Sequence, residues 1–133
     1  MREKLLFDAS SIIYALKLKK PSLLHRNYTQ WLTIYEVVNA LWKEATIFNS
    51  LSPQDARKLV RIFREVVSFM EVLSPHPYEE EILSAAKELR ITAYDASYII
   101  LSRKNNLMLV TEDEKLRRKA SRIIKAAKLG DVL

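Results

Sequence analysis

The sequence predicts an α/β domain: a parallel sheet covered by helices on both faces. Short apolar runs such as Leu5–Phe7 and Leu107–Val110 are too brief for helices and read as buried strands. Longer stretches with helical periodicity or helix-start signals separate them. A lone acid, Asp8, stands where the first strand gives way to a helix, and Asp113 follows a second apolar run; the carboxyl ends of strands are where open α/β sheets place their ligands.

Taken in order, residues 3–7 read as the first strand, and Ser11–Leu18 as a helix stopped at Lys19-Lys20-Pro21. Residues 27–32 read as a short second strand. Thr33 is placed to cap the next helix, with Glu36 three residues on as in a capping box. On that helix Ile34, Val37, Val38, Leu41, Ala45 and Phe48 share one face, predicted to be core, while Glu36, Asn39 and Lys43 project from the opposite side, onto a surface or into a cleft. Ser52-Pro53 opens a helix to about Val67, with proline at its first position. Phe69–Leu73 reads as a strand, Pro75-His76-Pro77 as a turn and Tyr78–Leu89 as an amphipathic helix. Ala93–Lys104 is apolar on several sides and predicts a buried helix. After the Asn105-Asn106 turn come a strand at Leu107–Val110, a helix at Glu112–Ala120 and an edge strand near Ile123–Ala126.

A length of 133 residues suits one domain, residues 1–133, and 49% hydrophobic residues supply a core. No apolar run is long enough to span a bilayer, and MREKLLFDAS is no signal peptide, because Asp8 interrupts a run already too short. A cytoplasmic protein without membrane association is expected. The absence of cysteine excludes disulfides, thiol catalysis and cysteine–zinc sites. One glycine, Gly130, excludes a P-loop and a dinucleotide fingerprint, and neither His25 nor His76 sits in a triad motif. The net charge of +6 suits a polyanionic partner, although a basic solvated surface would look the same. Few glycines and glutamines with many charged residues resemble thermophile usage.

Four acids stand out. Asp8 is the only charge in LLFDASSIIYAL, Glu36 in WLTIYEVVNALW and Asp95 in ITAYDASYIILS, while Asp113 follows the apolar run of LMLVTEDEKL. Carboxylates brought into one cleft repel one another, so some protonate or a cation sits between them. Hard oxygen ligands suit Mg²⁺ or Mn²⁺. Water bound to such an ion is readily deprotonated and can attack a phosphodiester. Each acid taken singly has a plainer explanation, since a carboxylate at a helix start caps free N–H groups and offsets the dipole.

Together, DASSIIYAL, YEVVNAL, YDASYIIL and LVTEDEKL resemble the signature segments of PIN domains, specifically the compact VapC-type toxin ribonucleases. The resemblance runs from the first strand to about residue 120, with the acids in the family's order and at about its spacing. It matches Asp8 to the first-strand aspartate, Glu36 to the glutamate of the next helix, Asp95 to the D-A-x-Y type segment and Asp113 to the T-x-D segment. It implies an α/β/α sandwich on a five-stranded parallel sheet of order 3-2-1-4-5, and a site where the four acids bind Mg²⁺ or Mn²⁺. Asp8, Asp95 and Asp113 would contact metal directly or through water, and Glu36 would contact metal or orient the attacking water. Ser10, Asn39 and Thr111 would hydrogen-bond around them. It implies endonucleolytic cleavage of RNA, a homodimer, and silencing by a VapB-type antitoxin protein.

Two other readings compete: a PIN fold that holds RNA or a partner without cutting, and a housekeeping RNA-processing nuclease. A receiver domain would need an acid next to Asp8, and there is none. Lys43, Lys115, Arg117 and Arg118 are candidates to grip RNA phosphates, against solvated or ion-paired surface roles. Trp31, Trp42 and Tyr98 are expected in the core, with base stacking or a dimer interface as alternatives.

Overall fold

The computed structural model describes residues 3–133; the first two residues of the expected domain lie outside the described residues. The chain runs β1 (Leu5–Phe7), α1 (Ala9–Lys17), a 3-10 turn (Pro21–Leu24), β2 (Tyr28–Gln30), α2 (Trp31–Thr46), α3 (Pro53–Val67) and β3 (Glu71–Leu73). It continues α4 (Glu79–Leu89), α5 (Ala93–Lys104), β4 (Met108–Val110), α6 (Glu114–Ala120), β5 (Ala126–Ala127) and α7 (Leu129–Val132). The strands form one parallel sheet of order β3-β2-β1-β4-β5. This is the sheet order expected of the resemblance.

Successive strand residues point to opposite faces, so each central strand feeds two cores. Phe7 and Val110, paired across β1 and β4, pack with Ile12, Val37, Leu41 and Phe63. Their neighbours Leu6 and Leu109, also paired, pack on the other face with Tyr98, Ile99, Leu101 and Leu116. One layer therefore contains α1, α2, α3 and α7, and the other contains α5 and α6 with α4 alongside. Burial on both faces explains why the strands read as continuous apolar runs rather than alternating ones. Leu109 is fully buried in this central strand. Leu109→Ala is expected to destabilise the fold by about 3 kcal/mol through lost burial and the cavity left behind. The shift in the midpoint of denaturant unfolding measures it.

Several local expectations need correction. The helix α2 begins at Trp31, with Gln30 at its N-cap, so Thr33 is not the cap; it is buried and hydrogen-bonded to Tyr98. The capping box with Glu36 is likewise absent, and its carboxylate is bonded to Tyr98 instead. Of the predicted core face, Val37 and Leu41 are buried, but Val38 and Phe48 are exposed. The helix packs along a narrower stripe than periodicity suggests, with Val37 and Leu41 buried and Ile34 partly buried against the core. Trp31 and Trp42 are half exposed rather than core. With Tyr35 and Val38 they form an apolar stripe at helical spacing on the outer side of α2. The turn at Pro21–Leu24 and α7 were not expected at all; both are four residues long, too short to show a period.

Candidate active site

The four acids come from four elements and meet at the carboxyl edge of the sheet. Asp8 follows the last residue of β1 and is the N-cap of α1, its Oδ1 accepting from the Ser11 amide at 3.0 Å. Asp113 follows β4 by three residues and caps α6, accepting from the Leu116 amide at 3.0 Å. Because β1 and β4 are adjacent and in register, their ends deliver these two acids side by side. Asp95 lies in the first turn of α5, whose N-cap is Thr92. Glu36 lies in the second turn of α2. All four line one cavity of about 350 Å³ together with Ser10, Asn39, Lys43 and Tyr98.

Asp8 is the hub. It is almost completely buried at 7% exposure, yet it is surrounded by donors. Oδ1 accepts from the Ser10 hydroxyl at 2.7 Å and lies 3.0 Å from the Ser11 hydroxyl, while Oδ2 accepts from the Thr111 hydroxyl at 2.5 Å. Ser10 in turn accepts from the Glu112 amide at 3.0 Å, and Thr111 from the Asp113 amide at 3.1 Å. Thr111 thus links two of the acids: one hydroxyl holds Asp8 through its proton and the Asp113 backbone through its oxygen. Ser11, which sequence reasoning passed over, sits three residues after the N-cap, where a capping carboxylate finds its amide partner.

Electrostatics records the convergence. Burial raises the Asp8 carboxyl above its ordinary range, opposed by its hydrogen bonds from Thr111, Ser11 and Ser10. Burial also raises Glu36, opposed by the Tyr98 hydroxyl and reinforced by the charges of Asp8 and Asp95. Asp95 is raised by burial and then by the charges of Asp113 and Asp8. Burial and the neighbouring Glu36 charge push the Tyr98 phenol far upward, so it remains a donor. Among the described residues none of the four acids is ion-paired with a lysine, arginine or histidine.

That donor set fits a divalent cation. No trio of carboxylate or histidine side chains among the described residues forms a ready-made cage for one ion. Mg²⁺ does not require one, since it keeps several waters and binds through one or two carboxylates. Hard carboxylate oxygens gathered at one cavity match that mode of binding.

The other sequence candidates separate here. Asn39 is exposed and lines the acid cavity, as does Lys43, which has no carboxylate within ion-pair distance among the described residues. Lys115 lines an adjoining cavity of about 340 Å³ that shares Asp95 and Asp113 with the first. Arg90, not singled out from the sequence, lines it too; it ends α4 in the left-handed conformation at φ 55°. Arg117 is turned inward, donating to the Thr111 carbonyl at 2.8 Å, and so buttresses the site from behind. Arg118 is exposed and not part of either cavity. Glu112, next to Asp113, is occupied elsewhere: its Oε2 accepts from the Leu129 amide at 2.7 Å and anchors α7.

Comparison with known proteins places this architecture. The PIN domain family matches residues 5–122. The protein named exonuclease VapC9 from Pyrobaculum aerophilum is 42% identical over 85 residues, covering 64% of this chain and 60% of that protein. This chain therefore aligns with less than two thirds of that relative's length. Ribonuclease VapC3 from the same organism is 34% identical over 95 residues, covering 69% of this chain and 70% of that protein. The crystal structure of PAE2754 from Pyrobaculum aerophilum matches with a TM-score of 0.80 at 33% identity, over 98% of this chain and 86% of the other. DNA-bound VapBC from Salmonella typhimurium matches with a TM-score of 0.65 at 20% identity, over 96% and 98% of the two chains, a likeness of fold. With the family match running from β1 through α6 and a VapC relative aligned over most of both chains, this chain belongs to the PIN domain family and is a VapC-type member of it.

Proposed function

We propose that this chain is a metal-dependent endoribonuclease and the toxin of a VapBC-type toxin–antitoxin pair. The observation that carries the reading is the convergence of Asp8, Glu36, Asp95 and Asp113 in one cavity, with no basic side chain among the described residues paired to them. The names of two relatives, an exonuclease and a ribonuclease, support nucleolysis. In this reading Asp8, Asp95 and Asp113 hold Mg²⁺ or Mn²⁺, directly or through water, and Glu36 holds metal or orients the attacking water. Held there, a divalent ion would supply an activated water and offset charge on the phosphate oxygens. Ser10 and Thr111 fix the Asp8 carboxylate by hydrogen bonds, and Asn39 stands at the rim as a further polar contact. Lys43 in the acid cavity and Lys115 in the adjoining one suit contacts to the phosphates of a bound RNA strand. With RNA as substrate, the place of action is the cytoplasm, and residues 1–133 act as one domain.

Protein partners follow from the outer face of α2. Trp31, Tyr35, Val38 and Trp42 expose an apolar stripe beside the acid cavity, more than a solvated helix needs. A VapB-type antitoxin and a second copy of the chain are the partners this reading assigns to the protein. No helix among the described residues is long and apolar enough to cross a membrane.

The test is cleavage of a structured-RNA pool in Mn²⁺, in Mg²⁺ and in EDTA, beside Asp95→Asn with its folding verified. Metal-dependent cutting within the chain, reduced about 100-fold or more by Asp95→Asn, is the expected result. RNA that is bound but uncut under every metal would favour the binding module. Cutting indifferent to EDTA and to Asp95→Asn would sink the carboxylate mechanism.

A further inference from the structure

Tyr98 is the largest fully buried side chain among the described residues, and its hydroxyl ends at the acid cavity. Its ring packs in the core with Leu6, Leu101 and Leu109. The phenol donates to Glu36 Oε1 at 2.5 Å, and Thr33 Oγ1 lies 2.6 Å from the phenol oxygen. A phenol has one proton. With that proton given to Glu36, the Thr33 hydroxyl is the donor to Tyr98, and the three groups form a one-way chain from Thr33 through Tyr98 to Glu36. Thr33 and Glu36 are one turn apart on α2, and Asp95 and Tyr98 are one turn apart on α5. A second tie runs beside it, from Gln30 Nε2 to Ser97 Oγ at 2.8 Å and from Ser97 to the Tyr94 carbonyl at 2.6 Å. The buried phenol is thus rigidly connected to the helix that carries Asp95 while it grips the acid on the other helix.

We infer that Tyr98 is a positioning residue for the site: the Thr33–Tyr98–Glu36 chain pins Glu36 Oε1 and leaves Oε2 as the oxygen offered to a bound cation at a fixed separation from Asp95. Glu36 has three side-chain torsions and is only partly buried, so without the phenol it would have to be ordered when the cation binds. The inference rests on the metal-dependent reading above and extends it to a residue that sequence pattern assigns to the core.

Equilibrium Mn²⁺ binding to the purified chain, read from the spin-resonance signal of free Mn²⁺, tests it alongside RNA cleavage. The proteins compared are the parent, Tyr98→Phe, Thr33→Val, Glu36→Gln and the Tyr98→Phe/Glu36→Gln double variant, each checked for a native melting transition. Tyr98→Phe is expected to weaken Mn²⁺ binding about tenfold, the scale of a partner that orients a ligand. Thr33→Val should weaken it less, in the same direction. In the Glu36→Gln background Tyr98→Phe should cost nothing further, because its effect passes through Glu36. Parent-like affinity in Tyr98→Phe, or an equal loss in both backgrounds, would overturn the inference. Should Tyr98→Phe fail to fold, Thr33→Val carries the same test, and unchanged affinity there would overturn it as well. A parent that neither binds Mn²⁺ nor cuts RNA would sink the nuclease reading and this inference with it. A parent that does both while Tyr98→Phe matches it removes Tyr98 alone.

Discussion

Asp8→Asn is expected to lower metal-dependent RNA cleavage by about 1000-fold, roughly 4 kcal/mol of barrier, while leaving the fold intact. The fold survives because asparagine caps a helix about as well as aspartate does. Its Oδ1 can take over the Ser11 amide and the Ser10 hydroxyl that now reach Asp8 Oδ1. On the other side the amide nitrogen would face Thr111, whose hydroxyl turns to accept where it now donates. What disappears is the charge at the centre of the quartet, the one that both Glu36 and Asp95 feel. A neutral amide neither attracts a divalent ion nor sets a ligand at that point of the cavity. Single-turnover cleavage at saturating Mn²⁺ is the measurement, with a melting curve for each protein. Activity within a few-fold of the parent would mean that Asp8 serves only as a cap.

Asp8, Glu36 and Asp95 are legible in the sequence as lone charges in apolar frames, and Asp113 as an acid after a second apolar run, but their meeting is not. Asp8 and Asp113 are 105 positions apart and become neighbours only because β1 and β4 pair in register. The helix at Ala93–Lys104 was read to the residue, since burial on every side leaves a run of apolar and small residues from Ala96 to Ser102 that nothing else explains. The helix α2 was harder. Its N-cap is Gln30 rather than Thr33, because Thr33 satisfies its hydroxyl with Tyr98, a partner 65 positions away that local capping rules cannot see. Periodicity also could not tell a core-facing Trp42 from an exposed one, because both satisfy the same helical spacing. Tyr98 shows the same blind spot from the other side. Its ring is core, as composition suggests, and the atom that matters is the hydroxyl at the end of it.

Proton release is the second large effect expected. Asp8, Glu36 and Asp95 all have carboxyl groups raised above their ordinary range in the metal-free protein. A cation takes only the ionised forms, so binding must expel whatever protons these groups hold. Mn²⁺ affinity should therefore fall as the pH drops into the window just above the usual carboxylate range, by up to about tenfold per pH unit for each proton displaced. Titrations of Mn²⁺ at a series of pH values, followed by calorimetry in two buffers of different ionisation heat, would count the protons. The stability of the metal-free protein should run the opposite way. A carboxyl whose folded pKa is raised binds its proton more tightly when folded than when unfolded. Between the two values the unfolded chain holds fewer protons, so stability falls as the pH rises through that window and stays reduced above it. Asp95→Asn removes one such group and should stabilise the metal-free protein at neutral pH by about 1 kcal/mol, the gain commonly seen when an active-site charge is neutralised. Below the window the advantage should vanish. Saturating Mn²⁺ should invert the ranking: at about 100 times its Kd the ion adds about 2.7 kcal/mol to the parent, raising its melting temperature by about 10 °C, and should add far less to Asp95→Asn. If Mn²⁺ stabilised both proteins equally, Asp95 would have no part in holding the ion, and its raised carboxyl would be a consequence of crowding alone.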